Sequence, residues 1–115
     1  MVLNQLYSFI PQLRERLIDI APLIGGIRRK KDMRELEHMY RAIEITAAAQ
    51  EAALETIEPD MHESQVQAAI DYIFAQGQSV QAFTSIVGGG KNSTVLHYVD
   101  NHDLMKAGDL VVVDI

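Results

Sequence analysis

The stretch Thr94–Ile115, TVLHYVDNHDLMKAGDLVVVDI, contains two apolar runs with a turn signal between them and a carboxylate close to its end. TVLHYV and LVVVDI are rich in the β-branched and aromatic residues that favour strands, and KAGD favours a turn. Asp114 stands near the tip of the second run, where burying a charge is costly unless a partner compensates it. The stretch therefore predicts strands, and Asp114 is either a solvated terminal residue or part of a site.

The residues just before this stretch extend the predicted sheet. QAFTSIV (81–87) alternates like a half-buried strand, and GGGKNS (88–93) then forms a turn that joins it to TVLHYV as a hairpin. A phosphate-binding loop is the alternative for GGGKNS, but that motif requires Ser or Thr after its lysine, and Lys91 is followed by Asn92. We predict a flexible turn here and three strands in all.

Two amphipathic helices precede the strands. The first begins at Asp32, which forms a capping box with Glu35, and ends near Ile57. The second spans residues 63–76, with His62 exposed at its N-cap position. The predicted buried faces are Leu36, Met39, Tyr40, Ile43, Ala47 and Leu54 in the first helix and Val66, Ile70, Ile73 and Phe74 in the second. Two helices followed by three strands predict an α+β fold, with helices packed on one face of an antiparallel sheet.

The amino-terminal region has a weaker pattern. Residues 3–18 have near-helical apolar spacing that Pro11 interrupts, which predicts a kink or a late helix start. The segment IAPLIGG (20–26) contains one proline and two glycines, and it predicts a break in regular structure. We interpret residues 1–26 as a linker or as the tail of a preceding domain.

The composition limits the class of protein. A length of 115 residues suits one small domain, and 48% hydrophobic residues allow a packed core. The absence of cysteine excludes a disulfide scaffold and any thiolate metal site, and it is compatible with a reducing compartment. No apolar run approaches the roughly 20 residues of a membrane span, and the first residues do not form a signal peptide. We therefore predict a cytoplasmic protein that does not bind membranes.

The charge is unevenly distributed. The net charge is −6, yet four basic residues form the run RRKK at Arg28–Lys31. Such a run can bind nucleic-acid phosphates, or it can be a solvated linker ahead of a helix. We favour the linker and predict no nucleic-acid partner, because no aromatic platform accompanies the run and the remainder is acidic.

His97 and Asp114 are the polar residues that the predicted strands leave unexplained. His97 is either a hydrogen-bonded core histidine or a site residue, and Asp114 is either a frayed terminus or a metal ligand. One histidine and one carboxylate do not complete a metal site, because zinc typically takes three or four protein ligands. The residues alone leave both alternatives open.

Three segments in this order resemble the first half of the pita-bread metallopeptidases, and most of all aminopeptidase P, the Xaa-Pro aminopeptidase. They are RAIEITAAAQEAALETIEPDMHESQVQAAIDYIFAQG (41–77), SIVGGGKNSTVLHYVDN (85–101) and AGDLVVVDI (107–115). The resemblance runs from Ile27 to Ile115. This chain departs from the family in having PDM where PGM is usual, and His62 where Thr or Ser caps the helix.

The resemblance implies the N-terminal half of a pita-bread fold and a site for two divalent metal ions, commonly manganese. In the family the ligands are two aspartates, one histidine and two glutamates. Asp114 matches the first aspartate, His97 matches a histidine that lines the substrate pocket, and Phe83 matches an aromatic position near the metals. The implied substrate is a peptide with proline at its second position.

Four of those five ligands have no counterpart in the 115 residues, so residues 27–115 are expected to be a truncated half of the catalytic domain. The implied function is that of a fragment of a metal-dependent Xaa-Pro aminopeptidase, inactive and without bound metal as an isolated chain. An apolar edge on LVVVDI is expected to cause self-association or pairing with a chain that carries the missing half. The alternatives are an Xaa-Pro dipeptidase fragment and a non-catalytic binding or oligomerisation module.

Overall fold

The computed structural model describes residues 2–115, so Met1, the first residue of the predicted linker, lies outside the described residues. The chain forms two compact units, one reaching Leu36 and the other spanning Glu37–Ile115. Its elements are α1 (Val2–Phe9), α2 (Leu13–Arg16), α3 (Ala21–Arg29), α4 (Met33–Thr56), α5 (Glu63–Gln76), β1 (Ile86–Gly89), a 3₁₀ helix (Gly90–Thr94) and β2 (Val111–Asp114).

The amino-terminal unit is helical on both sides of Pro11, which lies in the turn between α1 and α2 as its sequence predicts. The predicted break at residues 20–26 is wrong, because these residues lie at the start of α3 and within it. Pro22 occupies the first turn of α3, where a proline needs no hydrogen-bond partner for its nitrogen. No helix in the described part of the chain is long and apolar enough to cross a membrane.

The two long helices begin where the sequence predicts. The Asp32 side chain accepts a hydrogen bond from the Glu35 amide at 2.9 Å, and the Glu35 side chain accepts one from the Asp32 amide at 2.7 Å. This reciprocal capping box satisfies two backbone donors that the first turn of α4 leaves unpaired. At the start of α5, exposed His62 donates its backbone N–H to the Gln65 side chain at 2.9 Å.

The hydrophobic core lies between α4, α5 and the sheet. Its buried residues are Ala49, Ala53, Val66, Ile70, Phe74, Val87 and Met105. The predicted face of α5 is confirmed, but the predicted face of α4 is wrong, since most of its large residues are exposed: Met39, Tyr40, Ile43 and Leu54. Small alanines, aligned with Ile45 at four-residue spacing, form the face of α4 that packs on the core.

The sheet has two antiparallel strands in the part of the chain that the structure describes, not the three that were predicted. Residues 81–85 are irregular and β1 begins at Ile86. Residues 94–99, TVLHYV, are not a strand but the end of the 3₁₀ helix and a turn, so the predicted hairpin is also wrong. Gly90, with φ of 53°, turns the chain out of β1 in a conformation that suits glycine.

The pairing of β1 with β2 determines which side chains face the helices. Ile86 is opposite Asp114 and Val87 is opposite Val113, so each pair shares one face of the sheet. Val87 and Val113 pack with the core, whereas Ile86 and Asp114 lie on the other face because side chains alternate along a strand. Asp114 is therefore exposed despite following three valines, and the cost of a buried charge does not arise.

Candidate functional site

The three site residues predicted from the sequence lie around one cavity. Phe83, His97 and Asp114 line a space of about 410 Å³. His97 and Asp114 also line a neighbouring cavity of about 280 Å³, which the 3₁₀ helix and β2 border. The structure thus brings together residues that are 31 positions apart in sequence, from 83 to 114.

Asp114 is the last residue of β2, where its exposed side chain points to the cavity face of the sheet. Its carboxylate has neither a hydrogen-bond nor a salt-bridge partner among residues 2–115. A carboxylate with open acceptor positions beside a cavity is able to bind a hard divalent cation or a proton donor.

His97 lies in a turn rather than in a strand, and its side chain is exposed, so it is not a core histidine. Its φ of 56° is in the left-handed region, which a residue with a side chain adopts at an energetic cost. The turn places the imidazole at the wall that both cavities share.

Phe83 lies in the irregular segment between α5 and β1, and 48% of its surface is exposed. Its ring faces the same cavity as His97 and Asp114, together with Ile86 and Val99. The cavity therefore combines a carboxylate and an imidazole with an apolar wall, as small-molecule and peptide sites commonly do.

The sequence analysis missed a buried carboxylate at the first position of α5. Glu63 is completely buried and accepts four hydrogen bonds. Its Oε1 atom accepts from the Gly89 amide at 2.8 Å and from Asn92 Nδ2 at 3.0 Å. Its Oε2 atom accepts from the Tyr98 hydroxyl at 2.7 Å and from the Asp103 amide at 3.0 Å.

These contacts set the ionisation of the cluster. Burial alone would raise the pKa of Glu63, but the hydrogen bonds from Gly89, Asn92, Tyr98 and Asp103 outweigh it and hold that pKa below its ordinary value of 4.5. Burial, together with the hydrogen bond to Glu63, raises the pKa of Tyr98 to about 12. Glu63 is thus the charged acceptor and Tyr98 the neutral donor at neutral pH.

Asp103 and Lys91 complete this cluster at the surface. Hydrogen bonds from Asn92 and Lys91 lower the pKa of Asp103, whose Oδ2 atom lies 3.3 Å from Lys91 Nζ. Lys91 therefore has a carboxylate partner at the surface.

A second buried amide connects β1 to the segment that follows Tyr98. Asn101 is completely buried, accepts a hydrogen bond from the Val87 amide at 2.9 Å and donates to the Ser85 carbonyl at 2.7 Å. Its φ of 47° is left-handed, a conformation that asparagine tolerates better than most residues. Asn92, Tyr98 and Asn101 belong to the motif on which the family resemblance rests, and here they are structural supports.

Asp114 is the residue that the family resemblance implies as a metal ligand. Within residues 2–115, no group of three or more His, Cys, Asp or Glu side chains is placed so that it could hold a metal ion. Asp114 fits the role of a single oxygen ligand, because it is exposed, unpaired within the described chain and beside a cavity. Several such donors are needed for a divalent ion with hard ligands.

Comparison with known proteins identifies the family. Residues 37–115 match metallopeptidase family M24. The chain is 36% identical over 99 residues to the Xaa-Pro aminopeptidase of Escherichia coli, covering 85% of this chain and 22% of that protein. It is 30% identical over 115 residues to the Xaa-Pro dipeptidase of Pyrococcus furiosus, covering 95% of this chain and 33% of that protein.

Solved structures agree with this result. The proline aminopeptidase P II of Yersinia pestis superposes with a TM-score of 0.79 at 31% identity, covering 98% of this chain and 28% of that one. The helices packed on an antiparallel sheet are thus part of a pita-bread fold, as the family resemblance implies. The chain spans between about a fifth and a third of the length of these relatives. The chain belongs to metallopeptidase family M24.

Proposed function

We propose that the gene product carrying this chain is a metal-dependent aminopeptidase that removes an N-terminal residue preceding proline. The observation that carries the proposal is the meeting of Phe83, His97 and Asp114 at one cavity. The likeness to the E. coli Xaa-Pro aminopeptidase supports the substrate class. We also propose a cytoplasmic location, which the lack of cysteine supports.

Each residue has a distinct role in this proposal. Asp114 would supply one carboxylate ligand to a site for two divalent ions. Manganese suits such a site because it prefers hard oxygen donors. Such ions, when bound, supply an activated water and polarise the scissile carbonyl. His97 would hydrogen-bond the substrate or move a proton at the cavity wall, and Phe83 would exclude water beside it.

The isolated 115-residue chain is proposed to be inactive and to bind no metal. One ligand does not hold a divalent ion at useful affinity, and the described residues contain no cluster that could. Release of an N-terminal residue from an Xaa-Pro peptide by this chain with added manganese would refute the proposal.

Association is the third part of the proposal. Leu96, Leu110 and Val112 expose 84%, 81% and 42% of their surfaces around the strand pair. Burial of these apolar side chains in an interface favours self-association or pairing with a chain that carries the other ligands. We propose that residues before Ile27 link this half to a preceding domain. Sedimentation of the 115-residue chain as a compact monomer at all concentrations would count against association.

The P. furiosus relative favours an Xaa-Pro dipeptidase as the second candidate. Substrate length separates the two activities. The gene product would be assayed with a proline tripeptide, the matching Xaa-Pro dipeptide, and a tripeptide with alanine in place of proline, each with manganese. Cleavage of the proline tripeptide alone supports the aminopeptidase, and cleavage of the dipeptide alone supports the dipeptidase. If none of the three peptides is hydrolysed, both peptidase activities are contradicted and a non-catalytic module is the remaining candidate.

A further inference from the structure

Glu63 is a fully buried carboxylate that the proposed peptidase chemistry does not use. Its four donors come from positions 89, 92, 98 and 103, which lie on both sides of His97 in the sequence. One side chain at the start of α5 therefore holds the chain before and after the turn that carries the cavity histidine.

The two residues that precede His97 contribute little apolar burial to its turn. Val95 and Leu96, the two residues before it, expose 51% and 84% of their surfaces. The His97 imidazole makes no hydrogen bond within residues 2–115, yet its backbone keeps a disfavoured positive φ. Such a conformation persists only where the surrounding structure imposes it.

The buried polar cluster provides that constraint. Tyr98 follows His97 directly, is only 9% exposed, and donates its hydroxyl to Glu63 at 2.7 Å. Asn92 lies at the other end of the turn, where its Nδ2 atom is 3.0 Å from both Glu63 Oε1 and the Tyr98 hydroxyl. Its carbonyl also accepts from the Val95 amide, which closes the last turn of the 3₁₀ helix.

We propose that Glu63 is a positioning residue that acts through Tyr98 and Asn92 to hold His97 at the substrate cavity. This proposal rests on the proposed function for the role of His97, and on the described geometry for the positioning itself. Glu63 lies at the N-terminus of α5, where the helix dipole also favours a negative charge. The anchor therefore joins the start of α5 to the turn that presents the His97 imidazole to the cavity.

The first experiment is a double-mutant cycle in the complete gene product. Tyr98→Phe removes the hydroxyl and keeps the buried ring, and it is combined with His97→Ala. We expect Tyr98→Phe alone to lower kcat/KM for an Xaa-Pro peptide about 10- to 100-fold, mainly through kcat. In the His97→Ala background it should cause no further loss, because the group being positioned is gone.

The matched control is Tyr72→Phe, which removes the hydroxyl of an exposed tyrosine on α5. It should leave the kinetics unchanged. The positioning role is overturned if the losses from Tyr98→Phe and His97→Ala multiply in the double variant. It is also overturned if Tyr98→Phe leaves kcat/KM unchanged.

A second readout does not depend on activity. A residue with positive φ gives a strong NOE between its own amide and α protons, which NMR of histidine-labelled protein measures at His97. Tyr98→Phe should weaken this NOE, and Tyr72→Phe should not. An unchanged NOE overturns the proposal even where the enzyme is active. A gene product without peptidase activity refutes the proposed function, while a weakened NOE would still support positioning.

Discussion

The replacement Glu63→Gln exchanges one oxygen of the buried carboxylate for an NH₂ group. Glutamine has the same size as glutamate, so the core around the side chain keeps its volume. The change removes the charge and turns one acceptor oxygen into an NH₂ donor. Any effect on stability therefore reports the hydrogen bonds to Glu63 and not a cavity.

The magnitude follows from the four contacts. Each carboxylate oxygen accepts two hydrogen bonds, at 2.7 to 3.0 Å. Whichever oxygen position the glutamine NH₂ occupies, it faces two donors whose hydrogen bonds it cannot accept. Two hydrogen bonds to a charged group are then lost, each contributing about 1.5–3 kcal/mol. With the NH₂ at the Oε2 position, the Tyr98 hydroxyl can rotate and accept one bond, which places the expected loss in the free energy of unfolding near 3 kcal/mol.

Urea unfolding of the 115-residue chain, followed by circular dichroism, measures this loss. Glu51→Gln is the matched control, since it makes the same change at an exposed position on α4 and should stay within about 0.5 kcal/mol of the wild type. A Glu63→Gln variant within 1 kcal/mol of the wild type would show that the hydrogen bonds to Glu63 do not stabilise the fold to this extent.

The same carboxylate predicts a pH dependence. The pKa of Glu63 is lower in the folded than in the unfolded chain, so its stabilising contribution is fully present above the unfolded value of 4.5. The contribution is lost as the pH falls through the folded pKa. The difference in unfolding free energy between wild type and Glu63→Gln should therefore shrink on acidification below about pH 4.5. A difference that stays constant down to acid unfolding would contradict this assignment.

Three further substitutions test local features of the fold by thermal or urea unfolding. The buried Ser85 hydroxyl has no hydrogen-bond partner within the described chain, so Ser85→Ala should stabilise by about 1 kcal/mol; destabilisation would show an unseen partner. A Cβ on Gly88 would lie 2.9 Å from the Asn92 carbonyl oxygen, so Gly88→Ala should destabilise by about 1–3 kcal/mol, and a neutral result would contradict that packing. Asp32→Ala removes the cap of α4 and should lower its stability by about 1 kcal/mol, whereas no change would exclude a stabilising capping box.

The helices were predictable because their signals are local. The capping box at Asp32 and the apolar spacing in α5 each depend on a few neighbouring residues. The buried face of α4 was not predictable in the same way, since Ala49 and Ala53 contribute little to an apolar pattern. Their burial depends on how closely a partner helix approaches, which is a tertiary property.

The turn at His97 was misread because its residues have strand propensity. TVLHYV is β-branched and aromatic, yet its polar groups are satisfied by side chains from distant positions instead of a neighbouring strand. The available signals of irregular backbone were a glycine and two asparagines. In the structure Gly90 has a positive φ, and Asn92 and Asn101 are buried. Glu63 gave no local signal, because a glutamate at the first turn of a helix is normally solvated.

The site residues were placed together by the family resemblance rather than by local pattern. Phe83, His97 and Asp114 are separated by irregular segments whose path cannot be derived from spacing. The alternation along β2 does explain why Asp114 reaches the cavity face while Val111 and Val113 pack on the core.

The metal content of the complete gene product tests whether Asp114 is a metal ligand. Asp114→Asn and the exposed control Asp100→Asn would be dialysed against manganese, then measured for bound metal and for hydrolysis of an Xaa-Pro peptide. We expect Asp114→Asn to lose both bound manganese and hydrolysis and Asp100→Asn to keep both. Wild-type metal content and turnover in Asp114→Asn would contradict that role.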